Sequence, residues 1–319
     1  MGEGNMIFSE RDFQLEDWVD PMDAGEQVKP ATQYANEVYA DLINPVSHVP
    51  VTMPWPKSLG KFEFRPGEVT LWAGSNGGGK SLITGQVALS LVQQGQTICI
   101  ASFEMKPKRS VQRMLRQFSG QNLDQIVGNR AEKLSTVLDS FKTFASTKLW
   151  FFDQQGSTTA KMVLAMTRYC GTILGVQHVF IDSLMKCVAG EDDYNGQKAF
   201  VDQITALARD LNIHVHLVHH IRKSGTEEAL PNKFDIKGTG SITDQVDNVL
   251  LVWRNKKKEH ERSLGKDVDP LVPDCMLMCE KQRNGESEDW FHLFFHRDSQ
   301  QFVEAPDSVP FVFHESGPF

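Results

Sequence analysis

The stretch Gly74-Ser75-Asn76-Gly77-Gly78-Gly79-Lys80-Ser81 constrains this chain more than any other. It satisfies the pattern G-x-x-x-x-G-K-S, a phosphate-binding loop that functions between a strand and a helix. Glycines let successive backbone N–H groups turn inward around phosphate oxygens, and the following helix points the positive end of its dipole at them. Lys80 is placed to reach the outer phosphates, and the Ser81 hydroxyl to ligate Mg²⁺. A chance match in a glycine-rich loop would lack the flanking elements. Here residues 68–73 read as a buried strand and residues 82–94 as a helix ending near Gly95, so the chain is expected to bind and hydrolyse a nucleoside triphosphate.

The same alternation continues. Residues 97–102, 149–153, 177–182, 213–219 and 249–253 read as apolar strands, with helical patterns over 110–118, 159–174 and 196–211. Strands alternating with helices imply an α/β domain around a largely parallel sheet. After Trp253 the pattern changes, and residues 275–281 and 290–296 read as a closing β-hairpin around Asn284-Gly285. Ahead of this domain, which begins at about residue 50, Tyr34, Ala35, Val38, Tyr39 and Leu42 form one apolar stripe on a helix within a linker over 29–49. That stripe packs either on its own domain or on a neighbouring subunit. Residues 1–28 read as an acidic, weakly ordered arm: eight acids, from Glu3 to Glu26, face a single Arg11.

With a net charge of -8, the chain can contact nucleic acid only through a local basic surface. Five scattered cysteines without a Cys-x-x-Cys pair argue for reduced thiols rather than a disulfide framework or zinc ribbon. The acidic start is unlike a signal or transit peptide, and no apolar run reaches membrane-spanning length. A cytoplasmic protein of a bacterium or phage-infected cell is the expectation.

A second acid for Mg²⁺ should close another strand, and Asp182, ending Val179-Phe-Ile-Asp182, fits. Hydrolysis also needs a group that positions water. Glu104 follows the second strand, but Asp153 is another strand-end acid, and sequence order alone does not choose between them. His214, His216, His219 and His220 are dense on one strand, with no cysteine or paired acid to complete a metal site. Lys256-Lys-Lys258 reads as a solvated run, and Lys281 and Arg283, taken alone, as a solvated hairpin face.

Taken together, Ser-Phe-Glu-Met at 102–105, His-Val-Phe-Ile-Asp at 178–182, Val-His-His-Ile-Arg-Lys at 218–223, Lys-Gly-Thr-Gly-Ser at 237–241 and Glu-Lys-Gln-Arg-Asn-Gly at 280–285 change that reading. Their order and spacing resemble the motifs of the hexameric replicative DNA helicases, the RecA-like ring motors of the DnaB, phage T7 primase-helicase and Twinkle-like type. The resemblance covers roughly residues 50 to 305. It implies a RecA-like P-loop NTPase that uses Mg²⁺ and ATP or dNTP. Glu104 would activate water, Asp182 would hold Mg²⁺ and His220 would sense the γ-phosphate. Arg283 would act as an arginine finger in the neighbour's site with Lys281 beside it, and Arg254 would stack on the base. Two residues apart on a strand, Lys281 and Arg283 share a face.

The resemblance also implies a homo-oligomer, a hexameric ring around single-stranded DNA. The DNA-binding loops would use Arg222, Lys223, Lys233, Lys237, Gly238 and Gly240, whose cations and flexible amides suit phosphate contacts. A second loop, over 185–196, is acidic and offers chiefly Lys186. The fused primase and the N-terminal helical domain of relatives have no counterpart in these residues, so a separate primase, polymerase or single-strand binding protein is the expected partner. The family position of the helix near Pro30 favours the neighbouring subunit as its seat. A recombinase filament and a regulatory or packaging ATPase without unwinding activity are the rival readings.

Overall fold

Strands rich in Val, Ile, Leu and Phe on both faces need cover on both sides, and the helices between them supply it. The computed structural model describes residues 30–43, 49–188, 190, 193–222, 229–238 and 240–313. The acidic arm and Lys223 lie outside these residues. Strands β1 (Val69–Gly74), β2 (Ile98–Ser102), β3 (Leu149–Phe152), β4 (His178–Asp182), β5 (His214–His220) and β6 (Asn248–Arg254) run parallel. Strands β7 (Cys275–Gln282), β8 (Trp290–His296) and β9 (Gln301–Val303) extend the sheet antiparallel, giving nine strands in the order β3-β2-β4-β5-β1-β6-β7-β8-β9. The expected α/β class, with a largely parallel sheet, is what is found.

The α-helices among the described residues are α1 (Ala31–Ile43), α2 (Lys80–Gln93), α3 (Pro107–Ser119), α4 (Arg130–Ala145), α5 (Ala160–Thr172), α6 (Tyr194–Leu211), α7 (Gly240–Gln245) and α8 (Lys256–Ser263), with short 3-10 turns between elements, one of them Lys233–Asp235. Alternation along β1 divides the core. Leu71 and Ala73 pack with Val163 and Met166 of α5 and Phe200 and Ile204 of α6. Trp72 packs with Ile83, Val87 and Leu91 of α2, Phe118 of α3 and Phe144 of α4. No described helix is long and apolar enough to cross a membrane.

Two expectations change, and one left open is narrowed. The hairpin is centred where expected, since Cys275 pairs with Leu293 and Met278 with Trp290. Its connection is a broad loop rather than a two-residue Asn-Gly turn, because β7 continues along β6 past a bulge at Val249/Leu250 and Asn284 is drawn aside to donate to Glu68 at 2.7 Å. The lysine run is not all solvated: it opens α8, and Lys258 is buried against Asp274 at 3.1 Å, with Arg262 3.2 Å from the same carboxylate oxygen. The stripe of α1 is not covered by its own domain, since Tyr34, Val38, Tyr39, Leu42 and Ile43 are exposed.

Three of the dense histidines, His214, His216 and His219, are core residues, and His178 joins them. Phe180 stacks on His216 with centroids 3.9 Å apart, and Phe64 meets both His214 and His216 edge-on. The Trp72 indole donates to His216 Nδ1 at 3.2 Å, which puts the His216 proton on Nε2, facing His178 Nδ1 at 3.1 Å. His214 donates from Nδ1 to the Arg65 carbonyl at 2.7 Å and accepts from Thr70 at 2.8 Å. Burial pushes the pKa of His178 and His216 well below the usual value, and those of His214 and His219 to about 4. In the unfolded chain these rings would titrate at about 6.5. Their contribution to stability is therefore complete above that pH and is lost as pH falls below it, because the unfolded state takes up protons first. Denaturant unfolding between pH 7.5 and 5 is expected to lose up to about 1.4 kcal/mol per pH unit for each ring that stays neutral. A flat profile across that window would contradict the buried neutral cluster.

Candidate active site

A doubly wound sheet leaves its open crevice at the carboxyl ends of its parallel strands. Five adjacent strand ends meet there: Glu104 after β2, Asp182 on β4, His220 on β5, the phosphate loop after β1 and Arg254 on β6. Asp153 follows β3, the edge strand beyond β2, and so stands one strand farther from the phosphate loop than Glu104. The loop from Gly74 to Ser81 needs its glycines. Gly79 caps α2 at φ 91°, in the left-handed region, and a Cβ on Gly74 would lie 2.5 Å from the Val252 carbonyl.

Lys80 is buried, with its ammonium donating to the Gly74 and Ser75 carbonyls at 2.9 Å each and to His220 Nδ1 at 3.3 Å. Burial lowers its pKa, opposed by the charges of Asp182 and Glu104. Since Nδ1 accepts, the His220 proton sits on Nε2, 3.5 Å from Glu104 Oε1. His220 thus bridges the loop lysine and the acid. Glu104 also accepts from the Ser183 hydroxyl at 3.1 Å, a partner that only its place beside Asp182 signals in the sequence. The His220 hydrogen bond, offset in part by burial and assisted by Ser183, holds the Glu104 carboxyl at about 2.

Ser81 Oγ donates to Asp182 Oδ2 at 2.8 Å, and burial raises the Asp182 pKa against that hydrogen bond. A hydroxyl and a carboxylate so close form an oxygen-only pair of the kind a small hard cation takes alongside phosphate and water. A cleft of about 620 Å³ opens from Ser81, Glu104 and Asp182 along the polar side of α3, past Arg109 and Arg113. Arg116 at its far end is spent on the carbonyls of Arg297 and Asp298, at 3.1 and 2.8 Å. Arg254 donates to the Gly77 carbonyl at 2.8 Å and to Glu259 at 2.7 Å, which places a guanidinium on the rim of the loop.

Lys281 and Arg283 lie elsewhere. In the register Val249 pairs with Lys281 and Thr70 with Asn248, so they sit at the amino end of β1, while Gly74 ends its carboxyl end. At about 3.3 Å per residue the strand between separates the two ends by roughly 13 Å. Lys281 donates to the carbonyls of Thr243, Asp244 and Val246 at 2.7–3.0 Å and so closes α7. Arg283 donates to the buried Asp247 carboxylate at 2.8 Å and to the Asp244 carbonyl at 3.0 Å. Asp247, an anchor the sequence did not flag, also takes the Val69 N–H at 2.9 Å.

The basic loop residues gather after β5. Arg222 donates to the Gly238 carbonyl at 3.0 Å, the Lys237 N–H donates to the His220 carbonyl at 3.0 Å, and His219 Nε2 meets the Lys237 carbonyl at 2.8 Å. Lys233 lies on the intervening turn, and Gly240 opens α7. One residue separates the nucleotide-side histidine from this loop set.

Residues 61–304 match the family model of the DnaB-like helicase C-terminal domain. The chain belongs to that family. A probable plasmid replicative DNA helicase from Chlamydia psittaci is 24% identical over 194 residues, which cover 59% of this chain and 42% of that protein. The match thus spans less than half the relative's length. Among solved structures, an isolated ATPase domain superposes with a TM-score of 0.71 at 17% identity, over 87% of this chain and 99% of that one. A DnaB-like replicative helicase, solved in a study of its interactions with primase, superposes with a TM-score of 0.68 at 16% identity, over 86% and 67%. These two establish the shared fold of the RecA-like helicase ATPase domain.

Proposed function

We propose that this chain is the motor of a ring-shaped replicative DNA helicase, which hydrolyses ATP or dNTP in sites shared between neighbouring subunits and moves along single-stranded DNA. The observation that carries the reading is the division of one sheet into two ends. Glu104, His220, Asp182 and the phosphate loop stand at one end, and Lys281 and Arg283 at the other. A head-to-tail assembly would bring unlike ends together, as rings do.

In each site the loop amides from Ser75 to Gly79 and the Lys80 ammonium would hold the phosphates. Ser81 and Asp182 would hold Mg²⁺, which neutralises charge on the phosphate oxygens. Glu104, ionised and fixed by Ser183 and His220, would orient the attacking water. Arg254 would lie against the base, and the neighbour's Arg283 would stabilise the charge that develops on transfer. His220 touches Lys80 and Glu104 through its ring and Lys237 through its carbonyl, so a change at the phosphates has a one-residue route to Arg222, Lys233, Lys237, Gly238 and Gly240. The exposed stripe of α1 would seat on the adjacent subunit. A separate primase, polymerase or single-strand binding protein would join it in the cytoplasm of a bacterium or an infected cell.

The test is unwinding of a forked duplex by the full chain, with hydrolysis measured with and without single-stranded DNA. Nucleotide-dependent strand separation with DNA-stimulated hydrolysis is expected. Hydrolysis indifferent to DNA with no separation would favour a regulatory ATPase, and helical filaments that pair homologous strands would favour a recombinase.

A further inference from the structure

We infer that Phe234 is a stacking platform for a base of single-stranded DNA, set within a loop cluster otherwise suited to the phosphate backbone. The inference rests on the nucleic-acid reading above and adds a contact of a different chemical kind. Phe234 is 81% exposed, more than any other aromatic side chain among the described residues. A lone exposed apolar residue is ordinary. This one is distinguished by how firmly it is presented and by what surrounds it.

The turn Lys233–Asp235 is closed by a reciprocal cap: the Phe234 N–H donates to the Asn232 side chain at 2.9 Å, and the Asn232 N–H donates to the Asp235 carboxylate at 2.8 Å. The Arg222 N–H donates to the Asp235 carbonyl at 2.7 Å, and Ile236, buried in the core, bridges to Ile221. The backbone is thus pinned on both sides of Phe234 while the ring is left outside. Three cations of a net-acidic chain share the segment. The Lys233 ammonium lies 5.8 Å from the ring centroid, and Arg222 and Lys237 are bound into the same turn. The Lys233 backbone N–H donates to the Glu280 carboxylate at 3.4 Å. A rigid aromatic face beside cations is what sequence-tolerant binding of unpaired bases uses, because every base has a face to stack. Lys237 donates its N–H to His220, so the platform is tied to the nucleotide site through the same short path.

The experiment compares binding of an oligo-dT and an abasic oligonucleotide of equal phosphate number to the full chain, with a slowly hydrolysed nucleotide present. Wild type is expected to prefer oligo-dT by at least about five-fold. Phe234→Ala should remove most of that preference while leaving abasic binding and the salt dependence in place, and Phe234→Trp should keep it. The inference is overturned if Phe234→Ala retains the preference. It is equally overturned if that variant weakens both oligonucleotides alike or changes the particle size, either of which marks a structural or subunit contact. Wild type that binds neither oligonucleotide overturns the function proposed above and this inference with it.

Discussion

Glu104→Gln is expected to lower triphosphate hydrolysis by about 10²–10⁴ while nucleotide still binds. The substitution keeps size and leaves an oxygen to accept from Ser183 and from His220 Nε2, so the cluster at the strand ends stays assembled. What would be lost is the negative charge that the proposed mechanism uses to orient water. The phosphate loop, Lys80 and the Ser81/Asp182 pair, to which binding is assigned in the proposed function, are untouched. Nucleotide titration and phosphate release, measured on the same preparation, separate the two effects. Turnover within a few-fold of wild type would remove Glu104 from the chemistry and return Asp153 to consideration.

Arg283→Ala is expected to cost about 10³–10⁵ in hydrolysis by the assembled protein, again with binding largely kept. Nothing in a single chain would explain such an effect, since Arg283 lies at the end of the sheet away from its own phosphate loop. Removal also leaves the buried Asp247 carboxylate with only the Val69 N–H at 2.9 Å and Arg209 at 3.5 Å. Some loss of melting temperature should accompany the kinetic effect, and turnover has to be read at a temperature where the variant is folded.

The phosphate loop, the parallel sheet and Asp182 were legible because each is a local signal: glycines in fixed positions, apolar runs too short for helices, an acid where such a run stops. The residues alone did not favour Glu104 over Asp153; the order of the motifs did, and only the fold puts Glu104 beside His220 and Asp153 after the edge strand, because strand order is a tertiary fact. The broad loop at Asn284 was misjudged for a related reason. The Asn-Gly signal favours a tight turn, but Asn284 gains a hydrogen bond to Glu68, which lies 216 residues away in sequence. Lys258 reads as solvated until Asp274 is brought against it. Lys281 and Arg283 carry no local signal at all; their order among the other motifs pointed to them, and the single chain alone shows only that both are anchored to α7 and Asp247.

The shared site is the central claim, and mixing two inactive variants tests it most directly. Glu104→Gln and Arg283→Ala chains, each nearly inactive alone, are combined, allowed to reassemble and assayed for hydrolysis. If each site draws Glu104 from one chain and Arg283 from the next, about a quarter of the interfaces in a randomly mixed ring regain both groups, and hydrolysis returns on mixing. Hydrolysis that stays at the level of the separate variants, in particles confirmed to contain both chains, would contradict the shared site.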